Sequence, residues 1–293
     1  MFKLGETFLL ALNRLAPSPN QALLSAKQDP LSYLRFLQNR AASSFAVFGD
    51  MDLTGQDVLD VGCGLGANLV HICALGAQKV TALDIDAQQI RCTQSMIANY
   101  YPDLVSRIQF VAANAAEMPF VDESFDILVS ADTFEHVDDL LGTLQECARI
   151  LRAEGHLYAY FPPFYAPWGA HMINWIRLPW CHVLFAESTI VSAARRIERE
   201  GKSVNCQLPP ETRLDLGKGD TIPFVNHLTL RRFWRVIRNI PSWQVVRARF
   251  LPPAWRNGRW IPRLLQPLTR IPLLQEMFTA KAIFVLRKVG PEI

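Results

Sequence analysis

The residues in this 293-residue chain that could do chemistry fall into three groups. The first is Asp60 followed by the alternating glycines Gly62, Gly64 and Gly66, with Asp84 about 20 residues further on. The second is Asp132, Glu135 and His136, within seven residues that also hold Ala131. The third is His171, at the end of the stretch Phe161-Pro-Pro-Phe-Tyr-Ala-Pro-Trp-Gly-Ala-His171. Alternating glycines let a strand turn sharply into a helix and let a ligand approach bare backbone. A carboxylate at the tip of the next strand can accept hydrogen bonds from both hydroxyls of a ribose.

Asp60 narrows the ligand. A carboxylate two residues before the first glycine would repel a pyrophosphate at the following helix N-terminus and attract an amino group. The expected ligand therefore pairs an adenosine ribose with a cationic amine, a pattern that S-adenosylmethionine has and NAD lacks. The stretches Val58–Ala67, Val80–Asp86, Ala113–Phe120 and Phe125–Val137 together resemble the class I S-adenosylmethionine-dependent methyltransferases, of the small-molecule O-methyltransferase type. The resemblance covers roughly residues 48–163 and is silent on the acceptor. It implies a cofactor set of Asp60, Gly62, Gly64, Gly66, Asp84, Ile85, Asn114, Ala115 and Ala131. Asn114 stands where the family usually has an Asp that takes the adenine amino group, and its carbonyl oxygen can still accept that bond. Met118 and Phe120 are expected to flank the adenine, and Asp86 to cap the helix from Ala87.

For the proton that leaves the acceptor, His136 and His171 are the candidate bases, because a near-neutral pKa suits histidine to that role. His182 is a weaker third. Asp132, Glu135 and His136 stand at i, i+3 and i+4, so a helical turn would project them together toward a divalent metal such as Mg. The set resembles the Glu-x-x-Glu-His ligands of small-RNA ribose methyltransferases and ubiquinone-pathway O-methyltransferases. The alternative gives Glu135 to a helix cap and leaves His136 to touch substrate.

The positioning elements alternate strand and helix. Strands are expected at 57–61, 79–83, 108–112, 125–130 and 155–161, with helices near 68–75, 87–99 and 138–151. A helix at 229–240 and strands at 243–250 and 280–288 complete the reading. The fold class is α/β, a Rossmann-like doubly wound sheet, mostly parallel with an antiparallel last strand, plus N-terminal helices and a lid insertion. Four segments are expected: an N-terminal helical cap (1–47), the cofactor-binding core (48–163), a lid or substrate insertion (164–228), and a C-terminal part of the core (229–293) with a second insertion at 251–279. The cap holds helices over 6–15 and about 31–48, the latter opened by Asp29-Pro30.

Half the residues are apolar, enough for a large core, yet no run of ~18 apolar residues suggests a membrane span. Six scattered cysteines without a Cys-x-x-Cys pair read as buried thiols of a reducing cytosol. Residues 1–150 hold 9 Lys and Arg against 18 Asp and Glu, and the rest carries a net +12. Ten arginines and no acid occur over 231–270, interleaved with Trp234, Trp243, Trp255 and Trp260. That stretch could wall a pocket for an anionic substrate, rest on anionic lipid, bind RNA, or form an ordinary solvated face; its aliphatic residues favour lipid over nucleic acid. The expected activity is methyl transfer from S-adenosylmethionine to a small-molecule or lipid-linked acceptor, at a hydroxyl oxygen, by a cytoplasmic protein with peripheral membrane contact. The competing classes are a nicotinamide-dependent oxidoreductase and a non-catalytic membrane-surface protein that keeps a cofactor-binding fold.

Overall fold

Strand β1 (Asp57–Val61) is an unbroken buried run from Val58, as a strand flanked on both sides must be. The computed structural model describes residues 2–16, 45–49, 51–207, 214–253, 265–272 and 274–290, with isolated positions between 25 and 39. In chain order the main elements are α1 (Phe2–Leu15), β1, α2 (Ala67–Ala74), β2 (Lys79–Asp84), α3 (Ala87–Tyr100), β3 (Ile108–Ala112), β4 (Phe125–Ala131), α4 (Leu140–Ile150) and β5 (Leu151–Phe161). Then come α5 (Cys181–Leu184), α6 (Glu187–Arg199), α7 (Leu230–Arg238), β6 (Trp243–Leu251) and β7 (Lys281–Lys288).

The seven strands form one sheet in the order β3-β2-β1-β4-β5-β7-β6. Strands β1 to β5 pair in parallel, and β7 runs antiparallel to β5, with Ala282 opposite Phe161. The order reverses beside β1, which places a crevice at the carboxyl ends of β1 and β4, where ligands bind in such sheets. This is the doubly wound, mostly parallel sheet that the sequence predicts.

Three boundaries differ from expectation. Helix α1 begins at Phe2 instead of residue 6. Helix α4 runs from Leu140 to Ile150, capped by Asp139, whose carboxylate accepts from Gly142 N–H at 2.9 Å. Strand β5 starts at Leu151 rather than 155, because its register against β4 shifts between Phe125–Leu151 and Ile127–His156. Glu154 takes a left-handed φ of 65° at that irregularity, so the acids and glycine that read as a loop lie inside a bulged strand. The second N-terminal helix, its Asp29-Pro30 start, and Trp255 and Trp260 lie outside the described residues.

The chain divides into two compact units. The sheet unit comprises Leu34–Phe161, Leu230–Arg249 and Ala282–Ile293. Its core includes Phe134, Phe161, Phe233 and Phe284, all nearly or fully buried, with Phe161 and Phe284 stacked 6.0 Å apart. The helical unit comprises Met1–Tyr33, Pro162–Thr229 and Phe250–Lys281, and it has a core of its own from Leu9, Met172, Trp175, Ile190 and Ala194. The stretch read as an irregular insertion thus contributes helices α5 and α6 to this second core. Within it, Pro163 to His171 folds as successive tight turns, with Ala166 bonded to Pro163, Gly169 to Ala166 and His171 to Trp168.

Candidate active site

The site begins with the turn out of β1. Gly62 and Cys63 both donate to the Leu83 carbonyl, at 2.8 and 2.9 Å, which ties the glycine turn to the end of β2. Gly62 has φ 76°, and a Cβ there would overlap the Thr133 side chain. Gly66, with φ 73°, is the N-cap of α2. Only glycine satisfies both the left-handed backbone and the close approach at Gly62. Cys63 is buried, and burial pushes its thiol well above the ordinary range, so it is a packing residue and no nucleophile.

Asp84 closes the other side. Its Oδ2 accepts from Gly64 N–H at 2.9 Å and its Oδ1 from Asp86 N–H at 3.0 Å. The carboxylate therefore braces the glycine turn while each oxygen keeps a second lone pair. Asp86 caps α3, accepting from Gln88 and Gln89 N–H at 2.8 and 3.3 Å.

A cleft of about 320 Å³ opens over these residues. It is lined by Gly62, Gly64, Asp84, Ile85, Asn114 and Ala115, and on the β4 side by Asp132, Thr133, His136 and Asp138. Among the described residues no lysine or arginine lines it, and Asp84, Asp132 and Asp138 make that lining anionic. Behind it Asp60 is completely buried; its Oδ1 meets Asn68 Nδ2 at a long 3.5 Å and its Oδ2 has no protein partner. Burial, opposed by Asn68 and reinforced by the charge of Asp84, pushes the Asp60 carboxyl up to about 7. A buried acceptor without a donor is costly, and a ligand ammonium would supply the donor. The residues present thus fit S-adenosylmethionine: carboxylates for its ribose and amine, and bare glycine backbone beneath.

Most of the expected cofactor residues line this cleft. Ala131 ends β4, and Asp60 and Gly66 stand behind the lining. Asn114 Oδ1 accepts from Ala116 N–H at 3.0 Å, a local turn bond of the kind short amide side chains favour, and keeps a second lone pair. One expectation needs correction. Met118 is buried and Phe120 packs edge-on against Phe125 at the start of β4, the opposite end of the strand from the cleft. Thr133, Gln89 and Asp138 line the cleft without having stood out in the sequence. Thr133 is recognisable only from its contact with Gly62, 71 residues away, to whose carbonyl its hydroxyl donates at 3.4 Å.

The Asp132, Glu135 and His136 set is not on a helical turn. Asp132 takes a left-handed φ of 54° and donates its N–H to the Tyr160 carbonyl, and the following turn closes by His136 N–H to Thr133 at 2.8 Å. Asp132 and His136 are exposed, whereas Glu135 is 2% exposed. Burial, with the charge of Asp132, raises the Glu135 carboxyl well above its ordinary range. The helical projection is absent, while Glu135 Oε1 and His136 Nε2 lie 3.8 Å apart, and Asp139, not Glu135, caps α4.

In the helical unit, His171 is half-buried with φ 55° and precedes a short helical turn at Met172–Asn174. His182 is buried between the Phe164 and Tyr165 rings, which lowers its pKa through burial and marks it as a packing residue. A pair the sequence did not single out, His227 Nε2 and Glu187 Oε1, lies at 2.8 Å. Of the interleaved tryptophans, Trp243 is buried with its indole N–H on the Leu144 carbonyl, and Trp234 packs edge-on against Phe284. Trp243 thus belongs to the sheet unit's core, while Trp234 is half-buried with Arg238 over its ring.

The sheet order, the glycine turn and the anionic cleft define a Rossmann-like methyltransferase. Residues 59–159 match the Methyltransferase domain family. The sequence is 37% identical over 111 residues to a probable S-adenosylmethionine-dependent methyltransferase of Mycobacterium tuberculosis, covering 37% of this chain and 36% of that one. It is 33% identical over 103 residues to an O-methyltransferase of Aspergillus sclerotiorum, covering 35% and 38%. The chain thus spans well under half the length of the curated relatives it matches. A solved S-adenosylmethionine-dependent methyltransferase from Mesorhizobium loti shares the fold, with a TM-score of 0.53 at 15% identity over 86% of this chain and all of that one. Residues 59–159 of this chain are thus similar to S-adenosylmethionine-dependent methyltransferases.

Proposed function

We propose that the protein transfers a methyl group from S-adenosylmethionine to a hydroxyl oxygen of a small-molecule or lipid-linked acceptor. The observation that carries this reading is the anionic cleft over the glycine turn, backed by a buried Asp60 oxygen that lacks a donor. A nicotinamide dinucleotide would set its pyrophosphate against Asp60, Asp84 and Asp132, with no cation in the lining to offset them. The O-methyltransferase name of one relative supports oxygen as the target.

When bound, S-adenosylmethionine supplies an electrophilic methyl on a sulfonium. The chain's own residues hold the ribose at Asp84, face the amine with Asp60, and shape the cleft with Gly62, Gly64 and Thr133. His136, in the cleft lining, and His171 are the proposed acceptors of the hydroxyl proton. The remaining contribution is alignment of donor and acceptor, which can supply much of the rate. Residues 162–228 are proposed to select the acceptor as a lid. The partner reading includes contact with anionic lipid, to which 231–270 would contribute the exposed Arg231, Arg235 and Arg238 on α7.

The test is methyl-labelled S-adenosylmethionine incubated with metabolite and lipid fractions, with calorimetry of S-adenosylmethionine and NAD binding alongside. Labelled product and selective S-adenosylmethionine binding are expected, with turnover unchanged by EDTA. NAD binding alone would restore the oxidoreductase reading. Loss of turnover on chelation would restore the metal.

A further inference from the structure

Helix α1 is apolar on two opposite faces, and among the described residues only one of them is packed into a core. At 100° per residue, Glu6, Leu9 and Asn13 lie on one side, and Leu4, Phe8, Ala11 and Leu15 lie about half a turn away. The first side is fixed inward. Leu9 is fully buried in the core of the helical unit. Glu6 accepts from Ser192 and pairs with Arg196 of α6, and Asn13 bonds the backbone of Trp175 and Arg177. The second side faces out: Leu4 is 78% exposed, Phe8 59% and Leu15 83%.

The outer stripe continues onto α5. The rings of Phe8 and Phe185 lie 6.1 Å apart, and Leu184, one residue before Phe185, is 63% exposed. Apolar side chains gathered like this on a surface mark a contact site, since their exposure stabilises nothing in the isolated chain. Charge indicates the occupant. The sole acid of α1, Glu6, is turned inward and neutralised by Arg196, while Arg14 is exposed. An apolar stripe beside an exposed cation, with no outward acid on its helix, complements an anionic lipid surface.

We infer that the outer face of α1, with Leu184 and Phe185, is a membrane-docking surface that lies in the headgroup region of an anionic bilayer. The inference deepens the lipid-contact part of the proposed function and does not depend on methyl transfer. It adds a contact of its own to the one proposed for the Arg-rich stretch, where Trp243 is a core residue.

The experiment is vesicle flotation of the full chain with phosphatidylcholine alone and with phosphatidylcholine containing phosphatidylglycerol. The wild type should float with the anionic vesicles and far less with the neutral ones. Phe8→Ser with Leu184→Ser should lower the anionic partition coefficient about tenfold or more, since two apolar groups lose burial in lipid. Both side chains are exposed, so the thermal midpoint and calorimetric S-adenosylmethionine affinity should stay at wild-type values. Leu15→Ser alone provides a second variant should the double one fold poorly. Three results would overturn the inference: no flotation of the wild type with anionic vesicles, undiminished flotation of the variants, or a wild-type dimer that the same substitutions convert to a monomer. Normal cofactor affinity alongside any of these would leave the methyltransferase reading intact.

Discussion

For single residues, the proposed function gives two carboxylates, Asp84 and Asp60, the cofactor's ribose and amine. Asp84 is tied to backbone on both oxygens, so it is held in place before any ligand arrives. Asp84→Ala should weaken S-adenosylmethionine binding by about 1–3 kcal/mol, read by calorimetry, because charge-assisted bonds to the ribose and the brace on Gly64 go together. Asp60 behaves differently. Its folded pKa of about 7 lies above the unfolded value of 3.8, so between those values the folded state holds a proton that the unfolded state has released. Stability should therefore fall as pH rises from about 4 to about 7, by an amount on the order of 3–4 kcal/mol for this group alone. Asp60→Asn should flatten that slope in denaturant melts and raise stability at pH 8. The same variant should bind S-adenosylmethionine more weakly, because the amine loses its anionic partner. Affinity in the wild type should rise over pH 6–7 as Asp60 ionises; a flat profile would remove the amine contact.

Turns rather than helices or strands carry the site at the scale of elements. The β1–α2 turn and the turn after β4 meet where Gly62 backs onto Thr133. Gly62→Ala would place a methyl group into Thr133 and force a left-handed backbone on alanine. The expected result is a lower thermal midpoint together with loss of cofactor binding. Thr133→Ala in the same background should recover part of both, since it removes the overlap but not the backbone cost. The chain after β4 shows why spacing misleads in such places. Asp132, Glu135 and His136 have helical spacing, but Asp132 adopts a left-handed φ and bonds Tyr160 on β5, which ends the regular structure before a helix can start.

For the molecule as a whole, the chain divides into a sheet unit that holds the cleft and a helical unit with its own core, to which the proposed function gives two tasks. Cofactor affinity should depend on the first and acceptor choice on the second. His171→Ala should then lower turnover by about 10²–10⁴-fold with S-adenosylmethionine affinity nearly unchanged, if His171 is the base. His136→Ala should affect both quantities, because His136 lines the cleft. Steady-state kinetics on the identified acceptor, beside calorimetry on each variant, would separate these outcomes. Equal turnover in His171→Ala and wild type would assign the proton to His136 or to solvent.

The sequence by itself determined the parts that depend on local pattern. Buried strands read as apolar runs, the glycine turn as Gly62, Gly64 and Gly66, and the carboxylate at the tip of β2 as Asp84, because each follows from residues close together along the chain. From those alone came the sheet class and most of the cleft lining. Only the tertiary structure decided the rest. The irregularity at Glu154 lengthens β5 because Leu151 finds a partner in Phe125, a contact no local window contains. Thr133 became a site residue through packing on Gly62, and Phe120 ceased to be one through packing on Phe125. Helix α1 joined residues 162–229 because Leu9, Glu6 and Asn13 meet partners more than 150 residues away. Side chains acquire such roles from whichever distant surface they are buried against, and burial is a property of the folded chain that no single stretch of sequence encodes.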